Sequence, residues 1–156
     1  SIVIGEEGKI SDIKAANQII AGLQAEGGQE FVVAPDYVLS EFEEDALDII
    51  NPFAVNAATM DSSVDTYRNM IVIGGPCVND VADDLMGFPE DCSEGFEEGQ
   101  GRIQVFELGD LNIVLVAGMT SKDTMAAANV LGHYYNYNNL EGDQVFVKTS
   151  TLEIMQ

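Results

Sequence analysis

Two cysteines and a run of carboxylates are the residues best placed to do chemistry in this chain. Cys77 closes the strand-to-turn segment Ile71-Val72-Ile73-Gly74-Gly75-Pro76-Cys77, and Cys92 stands in a polar stretch over residues 87–101. An even cysteine count permits a disulfide without requiring one. The segment between them predicts a short helix over 78–86 and a turn at Gly87 and Pro89, so the chain can return towards Cys77. Such a bridge closes a loop of about 15 residues and stabilises by roughly 3 kcal/mol in the chain-entropy account. It implies an oxidising, extracytoplasmic setting. The alternative is a reactive thiol at a helix N-terminus, where the dipole lowers the thiolate pKa. The short return path favours the disulfide between Cys77 and Cys92.

Around Cys92 lie Glu90, Asp91, Glu94, Glu97 and Glu98. Such oxygen ligands suit a hard cation such as calcium, although the spacing is not that of an EF-hand. A solvated acidic loop accounts for the same residues. Two cysteines without a second pair or nearby histidines do not make a zinc site.

The Gly74-Gly75 junction sits between a strand and a helix, where free N–H groups can hold phosphate. The glycine fingerprints of dinucleotide and P-loop sites are both missing. Pro76 also removes an N–H that an anion would use. A tight packing turn accounts for the pair. His133 is the only histidine, late in a helix beside Tyr134 and Tyr135. A cation there is favourable against the helix dipole, which is reason enough for it. No nucleophile and base are paired in local sequence, so no enzyme activity and no catalytic residue are expected.

The elements that must position these groups follow from hydrophobic periodicity. Strands are predicted over 2–5, 31–34, 70–73, 103–106, 112–117 and 144–148, with 54–60 an edge strand and 151–155 extending the last one. Helices are predicted over 12–24 with Ser11 as N-cap, over 41–50, over 78–86, and over 122–135 with Ser121 as N-cap. Gly109-Asp110 makes the turn of a hairpin. Apolar strands alternating with helices predict an α/β fold. It would be a three-layer, mostly parallel sheet with helices on both faces and one β-hairpin. All of 1–156 reads as a single domain.

Charge sets the outer bounds. The chain carries 27 acidic and 6 basic residues, a net charge of −21. That surface repels nucleic acid and anionic membranes. It suits bound cations or high external salt. No apolar run is long enough to span a bilayer.

Several segments together resemble archaeal S-layer proteins. Ile71 to Asn79 (Ile-Val-Ile-Gly-Gly-Pro-Cys-Val-Asn) is similar to one landmark of that family. Val116-Ala117-Gly118, followed by Asp123-Thr124-Met125-Ala126-Ala127, is similar to a second, with Met125 where the family has arginine. Ile4-Gly5 through Asp12-Ile13-Lys14-Ala15-Ala16 and Met60-Asp61-Ser62 resemble two further stretches. The match is closer over 60–156 than over 1–59, and residues 35–59 look like a shortened region of a compact or truncated member. The resemblance implies a non-catalytic, extracellular cell-surface module. It would pack with copies of itself or with other envelope proteins, without an organic cofactor and with calcium as a compatible ion. The other expectation is an extracellular domain binding a nucleotide, flavin or sugar at the strand ends near Gly5, Gly74 and Gly118.

Overall fold

Short apolar strands separated by amphipathic helices assemble one mixed sheet. The computed structural model describes residues 1–8, 10–27 and 58–155. The strands are β1 (Ile2–Ile4), β2 (Ala58–Met60), β3 (Met70–Ile73), β4 (Gln100–Leu108), β5 (Leu111–Gly118), β6 (Gln144–Lys148) and β7 (Ile154–Met155). The helices are α1 (Ile10–Gly27), α2 (Asp80–Leu85) and α3 (Ser121–Gly132). The expected strand over 31–34, the helix over 41–50 and the first part of the 54–60 strand lie outside the described residues.

The strand order is β2-β1-β3-β5-β4-β6-β7. The pairings β1–β2, β1–β3 and β3–β5 are parallel. The pairings β4–β5, β4–β6 and β6–β7 are antiparallel. Among the described residues the fold is therefore α/β with a mixed seven-stranded sheet, three pairings parallel and three antiparallel. β4 and β5 form the expected hairpin, paired down to Leu108 opposite Leu111 across Gly109-Asp110. Gly109 has φ 64°, the backbone a two-residue hairpin turn needs.

Period-two alternation sorts the strand residues between two cores. Ile2, Ile4, Ile73, Ile103, Val116, Val145 and Val147 join Ala15, Ile19, Ala127 and Val130 from α1 and α3. Val3, Met70, Val72, Ile113 and Leu115 join Val81 and Ala82 from α2. At the crossing of α1 and α3 two glycines, Gly22 and Gly132, bring the helix backbones into contact.

Four expected boundaries are corrected. Ser11 lies inside α1 rather than capping it, and its hydroxyl is buried without a hydrogen-bond partner among the described residues. Thr120, not Ser121, caps α3, because its extended backbone lets the hydroxyl accept from the Asp123 N–H while the Asp123 carboxylate accepts in return. That helix stops at Gly132, and Tyr134–Asn136 tighten into a separate 3-10 turn. Residues 151–155 do not prolong β6. The chain reverses at Leu152, where φ is 59°, and β7 folds back antiparallel on β6.

Candidate functional site

The C-terminal ends of the parallel strands gather the buried polar groups. β2 lies on one side of β1 and β3 on the other, so the chain changes winding direction between β1 and β3. Open α/β sheets bind ligands at such a switch point. Here the turn after β3 is made by Gly74, at φ 100°, a backbone that side chains disfavour. Beside it is a cavity of about 100 Å³ lined by Asp12, Gly74, Gly118, Thr120, Phe96 and the Cys77 and Cys92 sulfur pair.

Four polar side chains follow the four parallel strands, and each is nearly inaccessible: Asp12 after β1, Asp61 after β2, Asn79 after β3 and Asp123 after β5. Asp61 accepts from the Glu6 and Ser62 N–H groups at 2.8 and 2.9 Å through Oδ1 and from the Asp80 N–H at 2.8 Å through Oδ2. It ties the turn after β1 to the start of α2. Asn79 caps α2, accepting from the Val81 and Ala82 N–H groups, and its Nδ2 donates to the Ile73 carbonyl at 3.0 Å. Asp123 accepts from the Thr120 N–H and hydroxyl at 3.0 and 2.7 Å, and from the Gly99 N–H and Thr149 hydroxyl at 3.2 and 2.5 Å. These bonds join α3 to β4 and β6 through the loops that flank them. The oxygens of Asp61 and Asp123 are committed to the chain's own donors, which is a structural role.

Cys77 and Cys92 form a disulfide with Cα atoms 5.0 Å apart. It anchors the segment after α2 against the turn after β3. Phe96 then reaches the backbone of Gly75 and lies 5.5 Å under the guanidinium of Arg102. Burial lowers the pKa of that guanidinium.

The acidic residues expected to hold a cation are placed differently. Glu90, Asp91, Glu94, Glu97 and Glu98 are all exposed, and among the described residues no three acidic, histidine or cysteine side chains converge as a metal cage. Asp91 turns onto its own loop, accepting from the Ser93 hydroxyl and N–H at 2.6 and 2.9 Å, and these bonds hold its carboxyl below the ordinary range. Glu97 accepts from the Gln100 side-chain amide. His133 sits at the C-terminus of α3 with Nδ1 2.9 Å from the Asn129 carbonyl, beside Tyr135.

Sequence reasoning had not singled out Asp12, Asp61, Asn79 and Asp123 as a set. The available signal is positional, since each stands shortly after an apolar run that becomes a parallel strand.

No protein-family profile matches the chain, and no curated protein matches it. Among the described residues no helix is long and apolar enough to cross a membrane.

Proposed function

We propose that this chain is a non-catalytic structural module of an extracellular cell surface, of the kind found in archaeal S-layers, packing with copies of itself or with neighbouring envelope proteins. The observation that carries this is the Cys77–Cys92 disulfide. It sits within the Gly-Gly-Pro-Cys segment that resembles the family, and disulfides persist in oxidising compartments. A net charge of −21 supports a role in which cations screen or bridge like-charged copies. Calcium between carboxylates of adjoining copies, including Glu90, Asp91, Glu94, Glu97 and Glu98, belongs to the same proposal. So does the finer architecture, three layers with helices on both faces of the sheet. The commitment of Asp61 and Asp123 to backbone and hydroxyl donors supports a role without catalysis.

The test is sedimentation of the full chain at high concentration across salt and calcium titrations. Concentration-dependent association is expected. A monomer under all conditions would overturn the self-packing part.

A second function is favoured by one observation, the cavity at the ends of β3 and β5. At about 100 Å³ it is smaller than the roughly 300 Å³ at which small-molecule pockets begin. A nucleotide or flavin is therefore disfavoured, and a small sugar fragment is the ligand left for this alternative. A thermal-shift screen with monosaccharides tests it. No stabilisation at millimolar sugar would remove it.

A further inference from the structure

Past the end of α3 the chain changes character. From His133 to Leu140 it reads His-Tyr-Tyr-Asn-Tyr-Asn-Asn-Leu, without one acidic or basic side chain other than the histidine, in a protein whose net charge is −21. Three of the protein's five tyrosines, Tyr134, Tyr135 and Tyr137, fall in this stretch. Its backbone is held firmly. The His133 N–H donates to the Asn129 and Val130 carbonyls of α3, and the Asn136 and Tyr137 N–H groups donate to the His133 and Tyr134 carbonyls at 2.9 and 3.0 Å. Tyr137 and Leu140 pack against the core beneath α1 and α3, which pins the segment from below.

The remaining side chains are left at the surface. Tyr134 and Tyr135 are 43 % and 42 % exposed. Their rings meet edge to face, with centroids 5.8 Å apart and planes at 79°, so they present faces set nearly at right angles. The His133 ring adjoins Tyr135 at 6.2 Å. Its Nδ1 is 2.9 Å from the Asn129 carbonyl, which can only accept, so Nδ1 carries the proton and Nε2 is the acceptor of the neutral ring. Asn136, Asn138 and Asn139 are exposed, and each amide offers two donors and an acceptor in one plane.

We infer that this tyrosine and asparagine surface is a binding site for oligosaccharides built of uncharged sugars. A pyranose has a face of C–H groups, which lies well on an aromatic ring, and a rim of hydroxyls that both donate and accept. The segment sets the complements of both side by side: rings for the C–H faces, and amides, phenol hydroxyls and an imidazole nitrogen for the hydroxyls. Charge narrows the occupant further. Anionic polymers, and a second copy of this acidic chain, meet the repulsion of the surrounding carboxylates with no lysine or arginine in the segment to offset it. A cationic partner finds no carboxylate between His133 and Leu140. A neutral ligand suffers neither penalty. The cavity at the strand ends is a different place, lined by Thr120 and Ser121 at the start of α3, whereas the tyrosines follow the end of that helix. The 12 residues of α3 separate the two by about 18 Å. A surface of this kind works whether or not the chain also packs with copies of itself.

The test is two-dimensional NMR of the isotope-labelled full chain, disulfide intact, titrated with maltohexaose, with N-acetylchitohexaose and, as the acidic comparison, with hexagalacturonate. Tyr134→Ala/Tyr135→Ala removes the rings, Tyr134→Phe/Tyr135→Phe keeps them, and circular dichroism establishes that each variant folds. Expected are shifts in the amides of residues 133–139 with at least one neutral sugar, and none with hexagalacturonate. The alanine variant should lose at least about tenfold in affinity, and the phenylalanine variant should stay within about threefold of wild type. No shift with either neutral sugar at millimolar concentration overturns the inference. Shifts centred on Gly74 and Gly118 would put the sugar in the cavity and overturn it equally. An alanine variant that binds as wild type does removes the tyrosines from the site. Hexagalacturonate bound as tightly as the neutral sugars overturns the selection by charge. Self-association that the alanine variant abolishes, in a wild type that binds no sugar, would make the surface a protein contact instead.

Discussion

Gly22 of α1 touches the backbone of Gly132 of α3: a Cβ built on Gly22 would lie 1.8 Å from the Gly132 carbonyl oxygen. From the other side, a Cβ on Gly132 would lie 2.8 Å from the Gln18 carbonyl oxygen of α1. Two helices this near share a single layer over the sheet. The small alanines Ala15, Ala16, Ala126, Ala127 and Ala128 pack around the crossing.

Gly22→Ala tests that contact. Alanine is the better helix former by about 1 kcal/mol. Here the helices must separate to admit the methyl group, and such overpacking costs roughly 1–3 kcal/mol. The expected net effect is a lower melting temperature. A higher one would mean that the helices are not held this close.

Asp123→Ala removes a buried acceptor that serves four donors. The capping interaction accounts for about 1 kcal/mol. Leaving the Gly99 N–H and the Thr149 hydroxyl without their acceptor costs about 1–3 kcal/mol each. A loss of at least about 2 kcal/mol is expected in urea unfolding at neutral pH. A midpoint unchanged from wild type would show that water replaces the carboxylate at no cost.

Removing the disulfide with Cys77→Ala/Cys92→Ala should destabilise by about 3 kcal/mol, given the sequence separation of 15. The double substitution avoids a stray thiol. Thermal unfolding of the oxidised wild type beside the double variant measures the difference. Titration of free thiols in the denatured, non-reduced wild type should find none; two would contradict the bridge.

Tyr67 gives a pH dependence at the alkaline end. Its hydroxyl donates to Asp84, and burial first, then that bond and the Asp84 charge, push its pKa up from 10.0 to about 12. The folded state holds the proton more tightly than the unfolded state does. Its contribution is present in full below the unfolded value and is lost as pH rises through about 12. The stability advantage of wild type over Tyr67→Phe should therefore shrink between these two values. An advantage that stays constant to the alkaline limit would rule out the link.

Much of the fold could be read from the chain because the strands are pure in pattern. The runs over 70–73 and 144–148 form strands with those bounds, since apolar residues bordered by glycine or acidic residues leave few other options. Helix ends were harder. Thr120 and Ser121 are both good caps, and only the reciprocal bond with Asp123 decides between them. The final segment departs from the expected extension of β6 because a non-glycine residue, Leu152, makes the reversal at positive φ, which local composition does not signal. The disulfide was legible from the short return path. The buried acids were not. With 27 carboxylates in the chain, nothing in residue type separates Asp61 or Asp123 from their solvated neighbours. Burial is settled by where the sheet places them.

The join between the two halves of the sheet also sets a timetable for folding. β5 meets β4 across a two-residue turn, whereas it meets β3 only after the chain between Ile73 and Ile113 has formed. Hairpins of this kind form in about 1–10 μs, while distant pairings wait on loop closure. The antiparallel ribbon is thus the natural nucleus, and β1 and β2 are late arrivals. In hydrogen exchange the amides of Ile113 to Val116 should be among the last to open, and those of β2 among the first.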